Sequence, residues 1–315
     1  MNFKLLGNTG IRVSELCLGT MTFGKEADAT ASFDIMNRAL EAGVNFFDTA
    51  NVYNAGQTEE IVGRWLQSKR EDIVLASKVH FATGTGVNER GSSRRNIVLS
   101  VEKSLKRLKT HWLDILYLHH WDEDTAIEQT LAALTTLVEQ GKILHVGISN
   151  FSAWQTMKAV ETAKRGGYTP PVVIQPMYNL VKRQAEVEIL PMAQAEGLAV
   201  CPYNPLAAGL LTGKYHRNEG GRLHENDMYK KRYENPAYWD TATRFVEYAT
   251  SSGQSPAALA LAWVKTHPAV TSPIIGARNL AQLNDCLGCL NINLTPDLRR
   301  EISALSSEPP LATDR

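Results

Sequence analysis

Asp48, Tyr53, Lys78 and the pair His119-His120 are the side chains whose types and placing suggest proton transfer. A tyrosine with its ordinary pKa of ~10 is a poor acid or base at neutral pH. An ammonium beside it stabilises the phenolate and lowers that value, and a carboxylate paired with the ammonium holds it in place. An imidazole N–H at the same point can orient and polarise a carbonyl oxygen. Taken singly, each residue has a plainer reading: the aspartate as a helix cap, the lysine or tyrosine as a solvated rim residue. Their joint position is what matters, because each stands at or just after the end of a short apolar run. Later runs end in polar residues too: Ser149-Asn150, Gln175 with Tyr178 after it, Tyr203-Asn204, and Gly276-Ala277-Arg278.

The apolar runs read as strands, over residues 16–19, 45–48, 73–78, 113–119, 143–149, 172–177, 198–202 and 270–276. Helical periodicity follows at 29–42, 58–67, 94–108, 126–140, 152–165 and 186–196, then at 238–252 and 256–267, and from about 280 onward. Strands followed regularly by helices imply parallel pairing with right-handed crossovers. Eight such units predict an α/β fold closed into a (β/α)8 TIM barrel. An open doubly wound sheet competes, but it usually carries a Gly-rich turn after its first strand. Here that strand leads into GTMTFG, which lacks G-x-G-x-x-G. Barrel sites lie at the carboxyl ends of the strands, where the candidates above fall.

Punctuation agrees with this frame. Glu59 and Glu60 put negative charge in a first helical turn, and Ser152 and Ser255 can cap helices, the latter before Pro256. Gly141 and Gly197 stand where helices end. The opening FKLLGNTGIRV places two apolar runs around Asn8-Thr9-Gly10, which predicts an N-terminal β-hairpin outside the repeat. Two long connections, 81–95 and 212–236, are expected as functional loops on the C-terminal face. No low-complexity linker interrupts the chain, so a single domain over 1–315 is expected.

Lys plus Arg and Asp plus Glu both number 33, so nothing draws the whole molecule to nucleic acid or an anionic membrane. Any anion site must be local. The start has no apolar core of a secretory signal, and no run approaches the ~20 apolar residues of a membrane span. Four scattered cysteines, Cys17, Cys201, Cys286 and Cys289, do not suggest a disulfide framework. A cytoplasmic location is therefore expected, and the Asn150-Phe151-Ser152 sequon has no bearing there. Oligomeric state stays open.

The candidates sit in strings that resemble the aldo-keto reductase family. GVNFFDTANVYNAGQTEEIVGRWL (43–66) carries the most specific match, around the aspartate and tyrosine. LASKV (75–79), LDILYLHHWD (113–122), VEQGKILHVGISNF (138–151), IQPMYNL (174–180), YNPLAAGLLTGKY (203–215) and IIGARNLAQLNDCL (274–287) follow in the family's order. The likeness runs over about residues 3–290 and is similar to bacterial NADPH-dependent members. It implies reduction of aldehydes or ketones to alcohols, with Tyr53 as general acid, Lys78 lowering its pKa and Asp48 pairing with Lys78. Counting from Asp114, the family's register selects His119 over His120. A small-molecule carbonyl or alcohol substrate is expected, and its identity and the physiological direction stay open.

The resemblance also implies an NADPH/NADP+ site. Ser149, Asn150 and Gln175 would hydrogen-bond the nicotinamide carboxamide, and Tyr203 would stack on its ring. Leu206, Gly209 and Leu210 would line the loop crossing the pyrophosphate. Gly276 and Arg278 precede a helix N-terminus, with Arg278 meeting the adenosine 2′-phosphate. Gln282 and Asp285 would lie near adenosine. The chain departs from many relatives at Gly276-Ala277, where they carry Lys-Ser, at Cys286 for an asparagine, and at Asn204 for a serine. Thr22-Phe23, 81–95, Trp121 and 212–236 are expected to wall the substrate, with Trp239 and Tyr229 as further contacts.

Other function classes compete. Potassium-channel β-subunits share the fold and cofactor site as binding modules, but no long N-terminal segment of the kind some carry precedes the hairpin. A metal-dependent barrel hydrolase would use His119, His120 and Asp122, yet the other strand ends offer no further histidine, so no metal is expected. Cys286-Leu287-Gly288-Cys289 has redox spacing, but in a late helix rather than a thioredoxin-like setting.

Overall fold

A computed structural model describes residues 1–217 and 219–313. The expected hairpin is present as antiparallel strands β1 (Phe3–Leu5) and β2 (Arg12–Ser14). Eight parallel strands follow: β3 (Cys17–Gly19), β4 (Phe46–Asp48), β5 (Val74–Val79), β6 (Leu113–Leu118), β7 (Ile143–Ser149), β8 (Pro171–Gln175), β9 (Ala199–Val200) and β10 (Ile274–Ile275). β10 pairs with β3, and each strand then pairs with its successor as far as β9. Backbone bonds beside the last strands close the seam. Thr271 N–H donates to Val200 O at 2.8 Å, and Ile274 N–H donates to Pro202 O at 2.9 Å. The fold is the (β/α)8 barrel that the strand–helix alternation predicts.

Two cores follow from the pleat, which sends successive side chains to opposite faces. Leu18, Phe47, Leu75, Leu116 and Ile174 point outward and pack under the helices. Their neighbours Cys17, Phe46, Ala76, Ile115, Tyr117 and Val173 fill the barrel interior, which Leu6 and Val13 of the hairpin join. Close packing there dictates a residue. A Cβ on Gly147 would come within 2.5 Å of the Tyr117 ring, so β7 passes this point without a side chain.

Helix ends match their sequence signals. Ser152 caps the helix Ala153–Gly166 in a capping box with Gln155, and Ser255 caps Pro256–Lys265. Gly141 and Gly197 leave their helices in the left-handed region, at φ 67° and 66°. Three expectations need correction. The strands over 198–202 and 270–276 shrink to two residues each, Pro202 and Pro273 lacking the N–H a ladder needs. The helix over 186–196 becomes a 3-10 turn, Gln184–Glu186, and then Ile189–Ala195, with Pro191 in its first turn. The loop over 212–236 contains two short helices, Arg222–Glu225 and Asp227–Arg232. One of its residues, Asn218, lies outside the described residues. A further helix, Pro296–Ser303, is capped by Thr295 and lies beyond the barrel repeat. Among the described residues, no helix is long and apolar enough to cross a membrane.

Candidate active site

The alternation that packs the barrel interior also aims the polar residues. Two positions beyond the interior residues Phe46, Ala76, Tyr117, Val173 and Cys201 come Asp48, Lys78, His119, Gln175 and Tyr203. Ser149 stands two beyond Gly147 in the same way. On the remaining strands the step reaches Gly19 and Gly276, so the ring of side chains is open there. A cavity of about 1050 Å³ covers this ring, with Asp48, Tyr53 and His119 in its wall. Lys78 lies beneath, its side chain wholly buried at 0% exposure.

Lys78 Nζ donates to Asp48 Oδ2 at 2.5 Å, to the Thr49 carbonyl at 2.8 Å and to the Tyr53 hydroxyl at 3.2 Å. All three ammonium donors are therefore used. Asp48 in turn accepts from Gln175 Nε2 through Oδ1, at 2.9 Å. Burial works against the ammonium, but Asp48 and Tyr53 outweigh it and its pKa stands above the ordinary lysine value.

Tyr53 corrects an expectation. Lys78 does draw its pKa down, but burial pushes it up by more, and the phenol ends above its ordinary value rather than below. Tyr53 is thus held protonated at neutral pH. His119 moves the other way: burial first, then the nearby Lys78 charge, keeps its imidazole neutral, far below the usual histidine range. Its ring meets that of Tyr53 edge-on, with centroids 6.0 Å apart, and its buried Nδ1 has no hydrogen-bond partner among the described residues. His120 also lines the cavity, but its Nδ1 sits 2.8 Å from the Trp121 carbonyl oxygen. Asp122 is taken up by its own loop, accepting from Ser92 N–H at 2.6 Å and from the Thr125 hydroxyl at 2.8 Å.

The residues assigned to nicotinamide are together and joined to one another. Asn150 stands at φ 58° and donates to the His119 carbonyl at 2.9 Å and to Ser149 Oγ at 3.1 Å. It accepts from the Tyr203 hydroxyl at 2.8 Å, while Ser149 donates to the Gln175 carbonyl at 3.0 Å. Each of these four residues lines the cavity.

Leu206 and Gly209 line it too, but Leu210 does not. Ala207, Ala208 and Gly209 all have positive φ, and this tight reversal places Leu210 in the outer core, fully buried. Gly209 is favoured by its φ of 92°, and the Lys214 side chain lies close over it.

Gly276, Arg278, Gln282 and Asp285 form the far end of the wall. The Arg278 guanidinium lies 3.7 Å from Glu225 and 3.9 Å from Glu26. The helix Leu280–Leu287 follows, capped by Asn279. The Gln282 side chain turns back to accept from Arg278 N–H at 3.0 Å, and Asp285 accepts from the Ser255 hydroxyl. Cys286, in the asparagine's place, lies in the same wall; all four cysteines are free and buried.

Of the expected substrate walls, Thr22, Phe81 and Tyr229 face the cavity. Phe23 is buried in the core, Trp121 packs on Phe151 and Trp154, and the Trp239 indole donates to the Tyr233 carbonyl at 2.9 Å. These three hold loops rather than line the cleft. The expected wall over 212–236 also lines it, through Lys214, Arg217, Arg222 and Arg232 among others, although the sequence reading did not single out these cations. That reading also missed what Asn204 does. At φ 61° that residue accepts from Ala208 N–H at 2.7 Å and donates to the Tyr233 hydroxyl at 2.6 Å, tying the loop to the helix pair beyond it. No periodicity marks these positions; only a positive charge in a long loop hints at the cations.

Comparison with known proteins gives the family. The profile of the aldo/keto reductase family matches residues 15–307. An uncharacterized oxidoreductase of Bacillus subtilis, YrpG, is 38% identical, over 98% of this chain and 97% of its own length. A probable voltage-gated potassium channel subunit beta of Oryza sativa is 35% identical over 100% and 99% of the two chains. Norsolorinic acid reductase B of Dothistroma septosporum is 33% identical over 96% of this chain and 81% of its own. With a profile spanning nearly its whole length and relatives of 33–38% identity that it covers over most of their length, the chain belongs to the aldo/keto reductase family.

Proposed function

We infer that this chain is an NADP-dependent oxidoreductase that reduces aldehydes or ketones to alcohols, with Tyr53 as the general acid. One observation carries this reading: an ammonium anchored by Asp48 donates to the Tyr53 hydroxyl at the edge of a large cavity. Bound NADPH would supply the hydride. The chain's residues supply the rest. Tyr53 holds its proton on the hydroxyl oxygen until a carbonyl oxygen gains negative charge, then passes it on. Lys78, already donating to that oxygen, steadies the phenolate left behind. Neutral His119 adds an N–H toward the same oxygen. Asp48 and Gln175 keep Lys78 from turning.

The donor set fits the dinucleotide. Ser149, Asn150 and Gln175 present hydroxyl and amide groups that match a carboxamide, which both donates and accepts. Tyr203 offers an aromatic ring beside them. Leu206 and Gly209 line the path of the diphosphate, and Arg278 stands before a helix N-terminus, where a 2′-phosphate is favoured. Glu26 and Glu225 beside Arg278 must yield to that phosphate. With its pKa raised, Tyr53 carries the proton it needs as a general acid at neutral pH. Free buried thiols fit a reducing compartment, and we place the protein in the cytoplasm as a single domain over 1–315.

The test is steady-state NADPH oxidation with a panel of aldehydes, together with cofactor binding. Turnover is expected, and Arg278→Ala should weaken NADPH by at least about tenfold, or ~1.4 kcal/mol, more than NADH. Equal effects on the two cofactors would remove the role of Arg278. Tight NADPH binding without turnover of any carbonyl would favour a second reading, a nicotinamide-binding regulatory subunit, to which the rice relative points.

A further inference from the structure

The cavity wall opposite the strand ends carries a cation that the cofactor reading leaves unused. The short helix Asp227–Arg232 brings Met228, Tyr229 and Arg232 to the cleft. The Arg232 guanidinium lies 5.3 Å from the centre of the Tyr229 ring, and that of Arg222 lies 5.6 Å from it. Neither guanidinium has a carboxylate within ion-pair distance among the described residues, whereas Arg217 is paired with Glu219 and Arg278 faces two glutamates.

The two guanidiniums flank one ring and have different neighbours beyond it. Arg222, Arg278 and Lys214 all line the cavity, and the charges of the two arginines help hold the Lys214 pKa down after burial. Arg232 instead ends the helix next to Tyr233, whose hydroxyl accepts from Asn204 at 2.6 Å, and the neighbouring Tyr203 donates to Asn150, which ties this end of the wall to the residues assigned to nicotinamide. The remaining surface there suits a flat apolar group. Phe81 is 41% exposed although aromatic, and its ring meets that of His119 edge-on at 4.8 Å. Val52 and Met228 line the same space.

We propose that the substrate is an aromatic carbonyl compound bearing a carboxylate, its ring held among Phe81, Tyr229 and Met228 and its carboxylate read by Arg232. This rests on the reductase reading above and names the substrate class for that site. A guanidinium already flanking an aromatic ring has its fork free for bidentate pairing with a carboxylate. In a partly water-excluded cleft such a pair discriminates against a neutral isostere of the same shape, because the neutral compound leaves the cation facing an apolar group.

The experiment compares 4-carboxybenzaldehyde with its methyl ester and with benzaldehyde, in the wild-type protein, Arg232→Gln and Arg232→Lys. Wild type should favour the acid over the ester by about tenfold or more in kcat/KM, carried by KM. In Arg232→Gln that ratio should fall to near one; Arg232→Lys should keep part of it, as a point charge without the fork. A second readout needs no turnover: calorimetric binding of 4-(hydroxymethyl)benzoate to the NADP+-loaded protein, expected to weaken about tenfold in Arg232→Gln and with added salt. Equal wild-type rates on acid and ester, or an unchanged acid-to-ester ratio in Arg232→Gln, overturn the proposal while leaving the reductase reading in place. Absence of NADPH oxidation with every aldehyde overturns that reading instead, and the calorimetric arm still decides whether Arg232 holds a carboxylate.

Discussion

Tyr53 and Tyr178 are both phenols set near a carboxylate and a cation, and they differ in the order of the three groups. At Tyr178 the hydroxyl donates directly to Glu186 at 2.5 Å and accepts from Arg299 at 2.9 Å. Arg183 grips the same carboxylate at 2.8 Å and reaches the Ser303 carbonyl at 3.1 Å, so the group fastens the last helix to the barrel. At Tyr53 the ammonium stands between phenol and carboxylate, and the hydroxyl accepts rather than donates. Burial raises both phenols above their ordinary value, so acidity does not distinguish them. What distinguishes them is where the proton points. Tyr178 has given its O–H to Glu186 inside the protein, while the O–H of Tyr53 is left for the cavity.

That contrast can be broken at several points. Tyr53→Phe should lower kcat by about 10³-fold with the NADPH dissociation constant nearly unchanged; full turnover in this variant would refute the assignment. Lys78→Met should lower kcat by about 10²-fold or more and cost about 3–5 kcal/mol, because Asp48 is left as an unpaired buried charge. Adding Asp48→Leu should restore most of that stability in urea titrations and none of the activity. Recovery of both together would mean the pair is only a packing element.

Tyr178→Phe should cost about 1–3 kcal/mol of stability, leaving groups on Arg299 and Glu186 without a partner, and change kcat less than about twofold. A large loss of kcat there would erase the distinction drawn between the two phenols. The smallest effect concerns pH. Reductive kcat should stay level from the ordinary histidine pKa of ~6.5 up to the ordinary tyrosine value of ~10, since Tyr53 titrates above the second and His119 below the first. Stability should decline as pH falls below ~6.5, where the unfolded chain takes up a proton that buried neutral His119 refuses. An ionisation of Tyr53 near pH 7, seen in its absorbance, would contradict the placement of its pKa.

The barrel was legible because its evidence is repeated: each strand followed by a helix, with caps such as Ser152 and stops such as Gly141 in place. The candidate site residues were legible because they end strands or, like Tyr53, follow one closely. The sign of the Tyr53 shift was not, because burial of a side chain depends on loops that close over it. Leu210 was misplaced for a related reason. Its neighbours supply the motif, but three consecutive positive φ angles decide which way it faces, and only one of those residues is a glycine. The helix Asp227–Arg232 and its cations had no periodic signature, being too short and too polar to show one.

The two-residue step from Phe46 to Asp48, from Ala76 to Lys78 and from Tyr117 to His119 has a consequence for how such a protein can change. Function here is addressed by parity. One residue inserted inside a strand would send the polar group at its end outward and an apolar neighbour into the cleft, disrupting core and candidate site in a single event. Insertions after the strand ends disturb neither. Variation in length is therefore filtered toward the rim, where it can reshape what is accepted while the reaction stays the same.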